Sequence, residues 1–202
     1  MQLVVATRNP HKLREIRELL AAPGLALTDL AGCAPAPPEV EEDGSTFEAN
    51  AVKKAVTVAA WTGAWALADD SGLEVDALRG APGVRSARYA GEPVDCARNN
   101  RKLLEALRDA DRRTARFRCV IALAAPDGTV RTVEGACEGT IARAPRGAEG
   151  FGYDPLFVPL GGEQTFAELD AGAKNRISHR AVALRRAAEA WGALLAGAGR
   201  GL

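Results

Sequence analysis

Aromatic side chains are scarce in this chain, at 5% of its 202 residues, and its 26 Lys and Arg only balance its 26 Asp and Glu. A protein that coats nucleic acid needs a basic excess and stacking platforms. Neither is present in bulk, although a zero net charge still allows a local basic pocket for a small anion. The four cysteines (Cys33, Cys96, Cys119, Cys137) lie far apart and form no C-x-x-C pair. They read as free thiols of a reducing compartment, not as disulfides or metal ligands. No apolar stretch is long enough to span a bilayer. The strand-like Leu3-Val4-Val5-Ala6 gives way to charged residues without a signal-peptide layout, so a cytoplasmic protein with no membrane partner is expected. Internal repeats, low-complexity blocks and clear linkers are missing too. What is there, 47% hydrophobic and 26% charged residues, suits an ordinary soluble fold, and a chain this long can bury a stable core without staples. One domain over residues 1–202 is expected, with two lobes at most and a frayed tail from about 197.

Strand and helix signals interleave along the chain. Gln2–Ala6 reads as a buried strand. Asn9-Pro10 supplies an N-cap and a proline at the first helical position, followed by an apolar stripe (Leu13, Ile16, Leu19, Leu20) that Pro23-Gly24 ends. Leu25–Leu30 is a second strand candidate, and Cys33–Pro38 a loop. Ser45-Thr-Phe-Glu48 has the form of a capping box, placing a helix from near Thr46 to about Thr62. Ala64–Ala68 reads as a short strand that stops at Asp69-Asp70-Ser71-Gly72. Asp95 caps a helix through Leu107. Asp127-Gly128 joins Ala115–Ala125 and Thr129–Glu138 as a hairpin. Gly147–Pro155 is a loop, and Ser178 caps a last helix to Leu195. Interleaved elements with one hairpin make the class α/β with a mixed sheet.

Four segments carry chemistry, each with a plainer alternative. Thr7-Arg8-Asn9-Pro10-His11-Lys12 is a strand-to-helix turn, whose N–H groups and helix dipole suit phosphate; it lacks the glycines of a Walker A loop and could be a simple cap. Glu41 and Glu42, with Asn50 and Lys54 on one face of the next helix, offer hard oxygen ligands for Mg²⁺ and phosphate-binding groups, or merely a solvated surface. Asp69 and Asp70 are two adjacent carboxylates at a strand's end, where ligand sites of α/β sheets gather; the alternative is an Asx-type turn. Neighbouring side chains on a strand alternate faces, so one aspartate is expected to face a metal. Lastly, Gly150-Phe151-Gly152-Tyr153-Asp154-Pro155 offers two aromatic faces for a base, alongside Lys174 and Ser178-His179-Arg180. Arg180 can donate to O6 and N7 of a purine. The alternative is a turn that packs its aromatics in the core.

Together and in this order, six segments resemble the inosine triphosphate pyrophosphatase family of non-standard purine NTP pyrophosphatases. They are Ala6–Lys12, Thr46–Ala55, Ala68–Leu73, Gly80-Ala-Pro-Gly-Val-Arg-Ser-Ala-Arg-Tyr-Ala-Gly91, Gly150–Pro155 and Ser178–Arg180. The likeness runs from residue 2 to about 195. It implies an elongated two-lobed α/β fold, with a central mixed sheet flanked by helices, a nucleotide cleft between the lobes, a homodimer and a need for Mg²⁺. Residue by residue it implies that Asp70 is the catalytic acidic residue that activates water and helps hold the metal, with Glu41 as upstream ligand and Glu42 close enough to leave that choice open. Thr7, Arg8, Asn9, Pro10, His11, Lys12, Lys54 and Ser71 then engage phosphates or substrate. Phe151, Gly152, Tyr153, Asp154, Lys174, His179 and Arg180 form the base-recognition set. One departure stands out: the family commonly has Gly where Arg8 sits, and a left-handed backbone there would cost Arg ~1–2 kcal/mol.

The expected activity is hydrolysis of ITP, dITP or XTP to the monophosphate and pyrophosphate, which removes deaminated purines before polymerases use them. Two other readings stay open: a pyrophosphatase for other aberrant nucleotides, and a non-catalytic nucleotide-binding module.

Overall fold

Residues 2–20 and 25–195 are described by the structure, a computed structural model; the expected stop at Pro23-Gly24 and the expected tail lie outside them. Six strands form one sheet in the order β2-β1-β3-β4-β5-β6. They are β1 (Gln2–Val5), β2 (Ala26–Asp29), β3 (Trp65–Val75), β4 (Thr114–Ala124), β5 (Val130–Ile141) and β6 (Phe157–Pro159). β1 pairs parallel with both β2 and β3, whereas β5 and β6 are antiparallel. The helices are α1 (Pro10–Leu19), α2 (Phe47–Thr62), α3 (Cys96–Ala106), α4 (Ala171–Ile177) and α5 (His179–Leu195). The expected α/β class with a mixed sheet is what is observed.

Local chemistry explains most boundaries. Asn9 caps α1, its Oδ1 accepting from the His11 and Lys12 amides at 2.9 and 3.2 Å, with Pro10 at the first position. α2 is capped by Thr46, whose Oγ1 accepts from Ala49 N at 3.1 Å. Glu48 does not complete the reciprocal box expected from Ser45; it accepts from Thr132 Oγ1 at 2.8 Å instead. Gly63, at φ 64°, ends α2 in the left-handed region that suits glycine. The Asp127-Gly128 hairpin forms, with Thr129 N donating to Asp127 Oδ1 at 2.8 Å and Gly128 at φ 89°.

One expectation needs correcting. β3 does not stop at Ala68: it continues through Asp69-Asp70-Ser71-Gly72 to Val75. The two aspartates therefore lie mid-strand, not on a turn, and their side chains diverge as strand geometry requires.

The chain divides into two compact units. The first comprises residues 1–70, 119–135 and 180–202. Its core joins Leu3, Val5, Ile16, Leu67, Ile121, Leu123, Leu184 and Trp191. The second comprises residues 71–118 and 136–179. It is built on Leu73, Leu103, Phe117, Ile141, Tyr153, Phe157 and Phe166, with the Phe117 and Phe157 rings 4.7 Å apart and tilted, a favourable aromatic geometry. Among the described residues no helix is long and apolar enough to cross a membrane.

Candidate active site

In the first unit, β3 sends its two aspartates into different surroundings. Asp69, fully buried, meets three partners: Lys12 Nζ from α1 forms an ion pair with Oδ1, Arg180 Nε donates to Oδ2 at 2.9 Å, and Cys119 Sγ donates to Oδ2 at 3.0 Å. Burial by itself would raise this carboxyl, but Arg180 and Lys12 outweigh it and hold Asp69 well below the ordinary carboxylate range. The same burial pushes the Cys119 thiol well up, so it is an unreactive hydrogen-bond donor.

Asp70 faces α2. Asn50 Nδ2 donates to its Oδ2 at 3.2 Å, and Lys54 Nζ donates to its Oδ1 at 3.3 Å. Lys54 also donates to Asp69 O at 2.7 Å and to Glu42 Oε1 at 2.5 Å. Burial raises Asp70 above the usual carboxylate value despite the attraction of Lys54 and Lys12. For Lys54, desolvation is the largest influence and would lower it, yet Asp70 and Glu42 together raise it. Two carboxylates thus share one ammonium on this face. Helical spacing explains the pair of donors: Asn50 and Lys54 are four apart on α2 and so meet the same strand residue. Glu42 is half-buried and joins this cluster, whereas Glu41 is exposed.

The remaining phosphate candidates occupy the β1–α1 turn. Thr7 Oγ1 accepts from Asn9 N at 3.2 Å, so Thr7 and Asn9 both organise the turn; Pro10 and His11 are exposed at its tip. Arg8 reaches out to Pro37 O at 3.2 Å. Its backbone has no positive φ, a feature found only at Arg79 among the described non-glycine residues. The departure at this position therefore carries no backbone strain.

Arg180 is 1% exposed, and its guanidinium is committed to two carboxylates, Asp69 through Nε and Glu15 through Nη1. Burial opposes its charge, but those two partners raise it far above the ordinary arginine value. A buried Arg held by two carboxylates is part of the ion-pair network, and the expected donation to a purine ring is not supported by this geometry.

The second unit holds the other base-recognition candidates. Phe151 N donates to Asp154 Oδ2 at 2.8 Å, and buried Lys174 Nζ donates to the same oxygen at 2.8 Å. Lys174 Nζ also lies 4.9 Å from the centre of the half-buried Phe151 ring, a cation–π arrangement. Gly150, at φ 75°, has to be glycine here: a Cβ would lie 2.1 Å from Asp154 Oδ2. Gly152 follows at φ 62° with open space beside it. Tyr153 does not present a face to a ligand. It is 4% exposed, packs in the core and donates its hydroxyl to Ser86 O at 2.9 Å. Burial raises its phenol, so it stays protonated. His179 is likewise buried and stacks on Phe117 at 4.7 Å. Ser71, first residue of this unit, is half-buried beyond Asp70 on β3.

Sequence reasoning missed Glu15 and the part played by Asp69. The signal for Asp69 was its adjacency to Asp70, since alternation on a strand implies a second environment for the second carboxylate. For Glu15, on α1, no local signal exists, because its partner is 165 residues away.

A family model matches residues 3–190. A protein of Desulforamulus reducens named dITP/XTP pyrophosphatase is 58% identical over 191 residues, covering 94% of both chains. The solved structure of a HAM1 protein from Coxiella burnetii superposes with a TM-score of 0.88 at 44% identity, covering 95% of this chain and 98% of that one. A nucleoside-triphosphatase, dITP/XTP pyrophosphatase, from Mycobacterium abscessus gives a TM-score of 0.77 at 46% identity, covering 93% and 98%. With that model spanning nearly the whole chain and these likenesses end to end, the chain belongs to the Ham1 family.

Proposed function

We propose that this protein is a Mg²⁺-dependent pyrophosphatase of non-standard purine nucleoside triphosphates, hydrolysing ITP, dITP and XTP to the monophosphate and pyrophosphate. One observation carries the reading: a buried carboxylate, Asp70, is aimed by Asn50 and Lys54 and sits beside Asp69, whose charge is neutralised separately. The relatives' names supply the substrate class, and the biological consequence is a nucleotide pool cleared of deaminated purines.

The donor set fits Mg²⁺. Asp70 and Glu42 both reach Lys54, which brings two carboxylates to one face, and Mg²⁺ takes one or two carboxylates with the rest of its shell from substrate phosphates and water. Asp70 would hold it together with the Glu41–Glu42 pair. When bound, the ion neutralises charge on the phosphates and lowers the pKa of nearby water. Asp70 orients the attacking water and takes its proton. The α–β anhydride bond breaks as water adds at the α-phosphorus, and the pair of electrons leaves with pyrophosphate. Lys12 and Lys54 stabilise that leaving group. The turn Thr7–Lys12 and Ser71 complete the contacts to phosphate.

Phe151 serves as the stacking face for the base, with Lys174 and Asp154 setting its position. A polar site built for a 6-keto purine leaves buried groups unpaired against adenine, which can discriminate by ~10⁴-fold. On the same reading the protein is a cytoplasmic homodimer, and sedimentation would check the dimer.

The deciding experiment is pyrophosphate release from ITP, dITP, XTP, ATP and GTP, with Mg²⁺ and with EDTA, for wild type and Asp70→Asn. Mg²⁺-dependent release from only the first three, lost in the variant with its fold intact, is the expected result. Equal rates on all five would point to a broader pyrophosphatase. Tight nucleotide binding without release would point to a binding module, and an active Asp70→Asn would end the role given to that residue.

A further inference from the structure

Two adjacent asparagines on α3 do different things. Asn99 is fully used: its Oδ1 accepts from Ala90 N at 2.7 Å, and its Nδ2 donates to Ala87 O at 2.8 Å and Ser86 O at 3.4 Å. It ties the helix to the Gly80–Gly91 segment. Asn100 instead donates from Nδ2 to Gly152 O at 3.0 Å, inside the phenylalanine-bearing loop. It is 9% exposed, and its Oδ1 is buried with no hydrogen-bond partner among the described residues. The carbonyl at Gly152 requires a donor opposite it, which fixes which end of the amide is nitrogen.

A buried amide with one side unsatisfied is a poor stabiliser, because the unpaired oxygen has lost its water and gained nothing. A leucine, with the same number of heavy atoms, would remove the unpaired oxygen but would leave the Gly152 carbonyl without its donor. What the amide does accomplish is local. The Phe151 amide is fixed from one side by Asp154, and the Gly152 carbonyl is fixed from the other by Asn100. Gly152 is in the left-handed region, and it has no side chain to anchor its peptide. Tyr153 is locked in the core beyond it. Phe151 is the aromatic of this loop left outside the core, and the two anchors hold the backbone next to it while Lys174 meets its ring.

We propose that Asn100 is a specificity-determining positioning residue, holding the Gly150–Pro155 loop so that the Phe151 ring is set for the purine. This rests on the reading of that loop as the base-recognition element. The test compares Asn100→Leu with Asn99→Leu, measuring thermal unfolding and the kinetics of ITP and ATP hydrolysis. Asn100→Leu removes one unpaired oxygen but strands the single Gly152 carbonyl, so its unfolding temperature should stay close to that of the wild type. Its KM for ITP should rise by about tenfold, the scale of one lost hydrogen bond, with kcat within about threefold. The ratio of kcat/KM for ITP over ATP should fall. Asn99→Leu, which strands the Ser86 and Ala87 carbonyls, should lose stability and affect both substrates alike. Asn100→Asp keeps the shape but replaces the Gly152 donor with an acceptor, and must lower the ratio too. Unchanged selectivity in both Asn100 variants, or a fall in unfolding temperature with equal loss on both substrates, overturns the proposal. A wild type that hydrolyses ITP and ATP equally overturns the base-recognition reading itself, independently of either variant.

Discussion

Replacing Arg180 by Met separates two roles that the sequence alone cannot distinguish. If the guanidinium read the base, its loss would leave stability intact and damage selectivity. The structure predicts the reverse order of magnitude. Arg180 is buried between Asp69 and Glu15, so Arg180→Met takes from Asp69 its strongest attractive partner and leaves Lys12 and Lys54 nearby. Removing one partner of a buried ion pair costs about 3–5 kcal/mol, because the charge left behind is desolvated and uncompensated. A chain of this size loses roughly 2–4 °C per kcal/mol, so the unfolding temperature should drop by roughly 6–20 °C. The pH dependence has a definite sign. The lowered pKa of Asp69 contributes stability that is present above its unfolded value of about 3.9 and is lost as pH falls through the folded value. The deficit of Arg180→Met should therefore be full at neutral pH and shrink on acidification, as the stranded carboxylate takes up a proton.

The assay is thermal and urea unfolding of wild type, Arg180→Met and the triple variant with Asp69→Asn and Glu15→Gln. Neutralising the carboxylates should recover much of the loss, since the penalty lies in unpaired charge and the three sites are coupled. An Arg180→Met protein within about 2 °C of wild type, with its preference for ITP over ATP collapsed, would refute this reasoning and return Arg180 to the base.

Two further substitutions probe the neighbouring groups. Lys54→Met removes the cation whose attraction opposes the burial of Asp70. The carboxyl should rise further, and because only its ionised form acts as base, the acid limb of kcat/KM should move to higher pH as overall activity falls; an unmoved limb would mean that Asp70 does not set the limb. Gly150→Ala and Gly152→Ala differ by two positions yet should differ in outcome. Both place alanine at positive φ for ~1–2 kcal/mol, but only the Cβ at 150 meets Asp154, at 2.1 Å. Only Gly150→Ala should therefore also raise KM for ITP, and equal effects in steady-state kinetics would count against Asp154 as the anchor of Phe151.

What the sequence disclosed follows from how local each cause is. The Asn9-Pro10 start of α1 and the Asp127-Gly128 hairpin were legible because cap and turn chemistry act within three or four residues. The end of β3 was misjudged for the same reason. Asp-Asp-Ser-Gly is turn vocabulary, and a strand carries it only because Lys12, Lys54 and Arg180 compensate the carboxylates from elsewhere in the chain. Glu48 departed from the expected capping box because the cap is Thr46, one residue later than Ser45, and the Glu48 carboxylate accepts instead from Thr132, 84 residues away. Residue type named the candidates at Tyr153 and Arg180, but not their surroundings. A tyrosine in a glycine-rich loop can face a ligand or the core with equal local propensity, and here the aromatic cluster around Phe117 and the Ser86 carbonyl decide for the core.

The adjacency of Asp69 and Asp70 has a physical use that neither residue has alone. Side chains alternate along a strand, so consecutive carboxylates can be given separate partners although their backbones are joined. Left unpaired, Asp69 would be a like charge next to the catalytic candidate and would raise it strongly. With Arg180 and Lys12 on it, its influence on Asp70 comes after burial, Lys54, Lys12 and Glu42. Lys12 is common to both environments: it is fixed in place by Asp69 while its charge also lowers Asp70. The buried network therefore tunes the base without touching it. A carboxylate this buried would take up a proton too readily with a bare anion beside it, and would be an ordinary weak base if fully solvated. Arg180 and Lys12 pair with Asp69, whose remaining influence still raises Asp70 but stands behind those of burial and Lys54.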